Sequence, residues 1–96
     1  SKHESAEDYK ARLAEAEQRR SEAEVGRKKM RETLAASKVE VGQFVEKYGK
    51  YYMVRWKELG NGPALQFYNE AITTAPESEA ARVAEKKVAT LRASDE

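Results

Sequence analysis

The chain reads as an all-α protein in which one long N-terminal helix, a marginal coiled coil, carries two short C-terminal helices packed as a head. Three observations predict this. From Ser5 to about Lys38 there is no proline and nearly every residue is a good helix former. Positions three and four apart then trace a heptad register as far as Tyr51. Beyond it, Gly60-Asn61-Gly62-Pro63 and Pro76 cut the remaining chain into two segments of helical length.

Composition sets the bounds. With 36% charged residues and 40% hydrophobic ones, much of the latter alanine, the 96-residue chain suits solvated helices better than a deep pocket. Eighteen basic residues against seventeen acidic ones leave no global charge that would argue for nucleic acid or an acidic membrane. There is no cysteine, so disulfides and thiol chemistry are excluded, and the cytosol and a bacterial envelope compartment fit equally well. No apolar run approaches the roughly 20 residues that span a bilayer, and no signal peptide is visible. Ser1 is not an initiator, which reads as a mature or excised piece.

Residues 1–38 form the expected polar arm. Ser5 suits the N-cap, with Asp8 three residues on as a short-armed capping box. Asp8 and Arg12, Glu15 and Arg19, and Glu24 and Lys28 place acid before base at i, i+4, each pair adding about 0.2–0.5 kcal/mol. The seam runs through Tyr9, Leu13, Met30, Leu34, Val41 and Phe44, the residues expected to mediate self-association, with a dimer favoured. Its middle is weak, because Arg20 and Arg27 occupy core positions and Gly26 costs about 1 kcal/mol relative to alanine. Between Arg19 and Arg31 six basic residues stand against Glu22 and Glu24. They suggest an anionic-surface or nucleic-acid contact; the plainer reading is an unevenly charged solvated face, and no aromatic side chain is interleaved for base stacking.

Residues 39–96 form the expected aromatic-rich, three-helix head. As a helix, Val41, Phe44, Val45, Tyr48, Tyr52, Trp56 and Leu59 share one wide apolar face. As a strand, Tyr51 to Trp56 has the composition but no partner strand elsewhere in the chain, so helix is preferred. Gly42 and Gly49, seven apart, permit a kink or the close approach of another helix. The aromatic residues either make the core against Phe67 and Tyr68 or form a partner-binding surface of Tyr48, Tyr51, Tyr52, Trp56, Phe67 and Tyr68. The next helix is capped by Asn61 or Gly62, suits Pro63 in its first turn, and stops at Pro76. The last helix starts from a Thr74–Glu77 capping box or from Pro76, and Ala80, Ala81, Ala84, Val88 and Leu91 make its stripe.

The spacing of Ala64, Tyr68, Ala71 and Pro76 resembles the second helix of a tetratricopeptide repeat, which places small, aromatic, small and proline in this order. The resemblance covers about residues 45–91 and makes Tyr48, Tyr51 and Tyr52 stand where the family carries tryptophan, leucine and glycine. With Ser78, Ala81, Ala84 and Leu91 following, the arrangement looks like bacterial envelope proteins that pair a coiled coil with such a region. The resemblance implies protein–protein binding and no catalysis.

The residues themselves point the same way. His3 is the only histidine and lies at the terminus, and no phosphate loop, nucleophile–base set or paired-carboxylate arrangement stands out. No cofactor, metal or enzymatic activity is expected. The leading expectation is an assembly or adaptor module; the alternatives are a binder of nucleic acid or anionic surfaces through Arg19 to Arg31, and a structural spacer.

Overall fold

The computed structural model describes residues 5–52 and 60–94, and for Lys50 and Tyr52 it describes the backbone alone. The protein is all-α. Helix α1 spans Ala6–Tyr52, α2 spans Gly62–Thr74 and α3 spans Glu79–Ser94, with no strand among the described residues. The molecule is 72 Å long, the length that the 47 residues of α1 give at about 1.5 Å per residue. The expected continuation of α1 to about residue 58, and the choice of helix or strand for Met53 to Trp56, fall outside the described residues. Tyr51 and Tyr52 are helical.

The caps follow from single residues. Ser5 Oγ accepts the Asp8 amide at 3.1 Å, as the sequence predicts, and Glu7 and Asp8 sit where the helix dipole favours acid. Gly60 has φ +60°, a left-handed conformation that side-chain-bearing residues rarely adopt. Asn61 is the N-cap of α2 by position, without a side-chain capping bond, and Pro63 occupies the first turn. At α3 the outcome differs from both sequence alternatives. Ser78 is the cap: its hydroxyl accepts the Ala81 amide at 3.1 Å and donates to the Ala75 carbonyl at 2.7 Å. Pro76 and Glu77 lie in the turn before it.

The head sits on the C-terminal half of α1. Helix α2 packs mainly on α1 and then on α3, and the α1–α3 contact is the smallest of the three. Every residue from Ser5 to Arg31 is exposed, and burial begins at Ala35. Contact with the head therefore starts within the segment expected to be free arm. Ala35, Val39 and Val45 meet Ala64, Tyr68, Ala71 and Ala75 of the α2 region and Ala84, Val88 and Leu91 of α3. Half of these are alanine, which lets the helix axes approach closely. Tyr68 is the one large side chain to be fully buried among the described residues. Gly42 makes that possible: a Cβ there would stand 2.7 and 2.9 Å from two atoms of the Tyr68 ring.

The docked face of α1 is not the aromatic one. Of the apolar face expected from Val41, Phe44, Val45, Tyr48 and Tyr52, with Trp56 and Leu59 outside the described residues, Val45 is buried, Tyr48 is half-buried, and Val41 and Phe44 are exposed. The reason is steric. A helix carrying a tyrosine at its centre needs a shallow floor, which Gly42 supplies under the ring, with Ala35 and Gly49 buried one heptad to either side.

Candidate protein-interaction surface

The buried and exposed apolar residues of α1 alternate in a simple way. Leu34 precedes Ala35, Val41 precedes Gly42, Phe44 precedes Val45 and Tyr48 precedes Gly49; the second of each pair is buried and the first is exposed or half-buried. One residue turns a helix by about 100°. The head therefore covers one stripe and leaves a second, parallel stripe open beside it.

All six residues expected to mediate self-association are exposed. Tyr9 and Leu13 are 55% and 47% exposed, Met30 is 72%, Leu34 is 50%, Val41 is 41% and Phe44 is 56%. The structure also joins to this stripe two residues expected on a separate partner surface. Tyr48 stacks against Phe44 with ring centroids 5.1 Å apart, and Tyr51 is 75% exposed. What the sequence presents as two surfaces is, over the described residues, one continuous line. The side chain of Tyr52 and all of Trp56 lie outside the described residues.

Phe67 and Tyr68 separate from that line. Phe67 is half-buried at the α1–α2 boundary, with the Lys38 ammonium 6.0 Å from its ring centroid. Tyr68 is wholly buried and offers nothing to a partner. Its hydroxyl donates to Glu46 at 2.7 Å, and Lys87 of α3 reaches the same carboxylate oxygen at 3.5 Å. Glu46 thus ties all three helices at one point. Burial, followed by the Glu46 hydrogen bond and charge, pushes the Tyr68 hydroxyl well above the ordinary tyrosine range.

Charges edge the line. Lys38 holds Glu70 at 3.0 Å and Arg31 holds Glu77 at 3.6 Å, joining α1 to the head. The hydrogen bond from Lys38, and then that from Gln66, lowers the Glu70 carboxyl below the usual range. Glu77 is lowered first by its own backbone amide and then by the charge of Arg31. In the basic stretch, Arg19 pairs with Glu15 at 3.7 Å as the spacing predicts, whereas Lys28 reaches Glu32 at 3.9 Å. Exposed pairs of this kind contribute about 0–1 kcal/mol. They do offset part of the local positive charge.

An open groove runs beside the stripe where Leu34 and Lys38 face Gln66, Asn69, Glu70 and Thr73 of α2. A second hollow lies along α1 at Gly26, floored by the missing side chain and walled by Met30 and Leu34. Among the described residues no cluster of three or more His, Cys, Asp or Glu side chains could hold a metal, and no helix is long and apolar enough to cross a membrane. No protein-family model, curated protein or solved structure matches the chain.

The sequence signal for the docked stripe is the spacing of Ala35, Gly42 and Gly49. Glu46 and Lys87, by contrast, read as two more solvated charges on polar helices. Nothing in their spacing couples them to Tyr68.

Proposed function

We propose that this chain is a non-enzymatic protein–protein assembly module that self-associates through α1 and presents an aromatic helical surface at its head end. One observation carries the reading. The two short helices satisfy one apolar stripe of α1 and leave a second one open over most of the helix, with large side chains at both ends. A row of exposed Tyr, Leu, Met, Val and Phe at heptad spacing is a surface that gains free energy when covered. The aromatic end, where Phe44, Tyr48 and Tyr51 follow one another, suits the anchor residues that dominate protein interfaces. The likeness of Ala64, Tyr68, Ala71 and Pro76 to a tetratricopeptide helix supports the same class of function, since that family binds proteins.

Sedimentation or light scattering from low to high micromolar concentration tests it. The expected result is a mass that rises with concentration, and a reversal when Leu13 and Leu34 are both changed to glutamate. A strict monomer at high micromolar concentration sinks the self-association reading.

A further inference from the structure

We infer that the open stripe of α1 is covered by a second copy of this chain running antiparallel at full overlap, with the two heads at opposite ends. The inference rests on the self-association reading and adds orientation, register and partner. It follows from what stands opposite what.

In this register Leu13 faces the partner's Phe44, Ala16 faces the partner's Val41, and Ala23 faces the partner's Leu34. The N-terminal half of the stripe carries small residues at Ala16 and Ala23, and the C-terminal half carries larger ones at the positions that meet them. The layers of Ala16 with Val41 and of Ala23 with Leu34 then hold one small and one larger side chain, the alternation that fills a core without voids, while Leu13 with Phe44 and Tyr9 with Tyr48 pair large with large towards the two ends. The weak centre is also relieved. Arg20 faces the partner's Ser37, and Arg27 lays its aliphatic stem along the partner's Met30, with Glu24 one turn away on its own helix.

The parallel alternative stacks each residue on its own copy. It brings Arg20 against Arg20 and Arg27 against Arg27 in the two core layers on either side of Ala23, and pairs alanine with alanine at Ala16 and Ala23. Its flanking pairs, Arg12 with Glu17 and Arg19 with Glu24, are favourable, but they do not remove two layers of like charge.

Flanking charge fixes the antiparallel register. Glu17 comes beside the partner's Lys38, Glu24 beside the partner's Arg31, and Arg19 beside the partner's Glu40, each occurring twice by symmetry; Arg12 beside the partner's Lys47 is the one unfavourable contact. Sliding the partner by one heptad in one direction puts Arg31 on its own copy, and sliding it the other way puts Glu24 on its own copy. Lys38 and Arg31 already hold Glu70 and Glu77 of the head. Both have further donors, so the incoming carboxylates extend existing ion pairs along the α1–α2 groove without breaking them. The head lies on the neighbouring stripe, one residue step around the helix, and leaves Leu34, Val41 and Phe44 exposed.

The test uses the absence of cysteine. Ala14→Cys places a single nitroxide on an exposed position away from the stripe, and pulsed electron paramagnetic resonance reads the label-to-label distance in the full chain, with sedimentation on the same samples. Antiparallel full overlap gives about 44 Å along the axis from the rise per residue, and a one-heptad slip moves this by about 10 Å. A dimer with that distance supports the inference. A dimer with labels within about 30 Å is parallel and overturns the orientation while leaving self-association intact; a distance displaced by a heptad overturns the register. A monomer overturns both readings and leaves the stripe to a different protein.

Discussion

At the scale of single residues, two glycines in one helix have opposite meanings. Gly42 lies under the Tyr68 ring, and Gly26 has nothing within 4 Å of where a Cβ would stand. Gly26→Ala is expected to stabilise the protein by about 0.5–1 kcal/mol through helix propensity. Gly42→Ala gains the same propensity but overpacks the core, a penalty of about 1–3 kcal/mol, so its net effect is destabilising. Urea unfolding of the two variants side by side checks the sign of each. The seven-residue spacing made a close approach at Gly42 legible in the sequence, but not which side chain would fill it.

Tyr68 carries a pH dependence. Its hydroxyl titrates above the ordinary value in the folded state, so the stability it contributes is complete below about pH 10. It is lost as pH rises beyond that point, because the unfolded chain ionises first. Chemical denaturation at pH 8 and pH 11 should show this fall, and Tyr68→Phe should flatten it while weakening the fold at pH 8 by about 1.5–3 kcal/mol. Unchanged stability of the parent protein at pH 11 would count against the Glu46 hydrogen bond. Glu70 and Glu77 act in the opposite sense: with their carboxyls lowered, their contribution holds above the usual carboxylate range and fades as pH falls through it.

At the scale of elements, the start of α3 shows how a correct helix can be given the wrong cap. Thr74 and Pro76 both carry familiar start signals, yet Ser78 is the residue whose hydroxyl reaches an otherwise unpaired amide. Ser78→Ala is expected to destabilise by about 1–2 kcal/mol, since the cap is lost at a buried site; a thermal melt lowered by less than a degree would contradict it. Helix α1 was legible as an element because helix propensity and the absence of proline act locally. Its docked face was not, since a wide aromatic stripe outweighs a small-residue stripe in any hydrophobic pattern. Packing against Tyr68 reversed that order. The arm has helical hydrogen bonds but no tertiary cover, and isolated helices are marginal in water. Amide exchange across Ala14 to Arg27 should therefore be orders of magnitude faster than across Ala35 to Gly49 at low concentration. It should slow as concentration rises, and equal protection of both segments in a monomer would refute this picture.

At the scale of the whole molecule, the head and the open stripe divide the labour. The head supplies a small, alanine-rich core around one tyrosine, and the stripe beside it stays exposed. The all-α architecture was readable from composition and helix propensity. The fusion of two expected surfaces into one was not, because it depends on where α2 lands on α1. Replacing two apolar residues of the stripe by charged ones, Leu13→Glu and Leu34→Glu, should weaken self-association at least tenfold without changing head stability by more than about 0.5 kcal/mol. Sedimentation and urea melts on the same variant separate the two quantities.

The offset of one residue between the docked and the open stripe makes α1 a shaft whose two ends are held in phase. Adding one residue near Gly26 would rotate everything N-terminal to it by about 100° relative to the head, carrying Tyr9 and Leu13 off the line of Leu34 and Val41. Adding seven would leave the line nearly straight and lengthen the arm by about 10 Å. Length changes in this helix are thus tolerated in steps of a heptad and disruptive in between, a periodicity that the compact head alone would never impose.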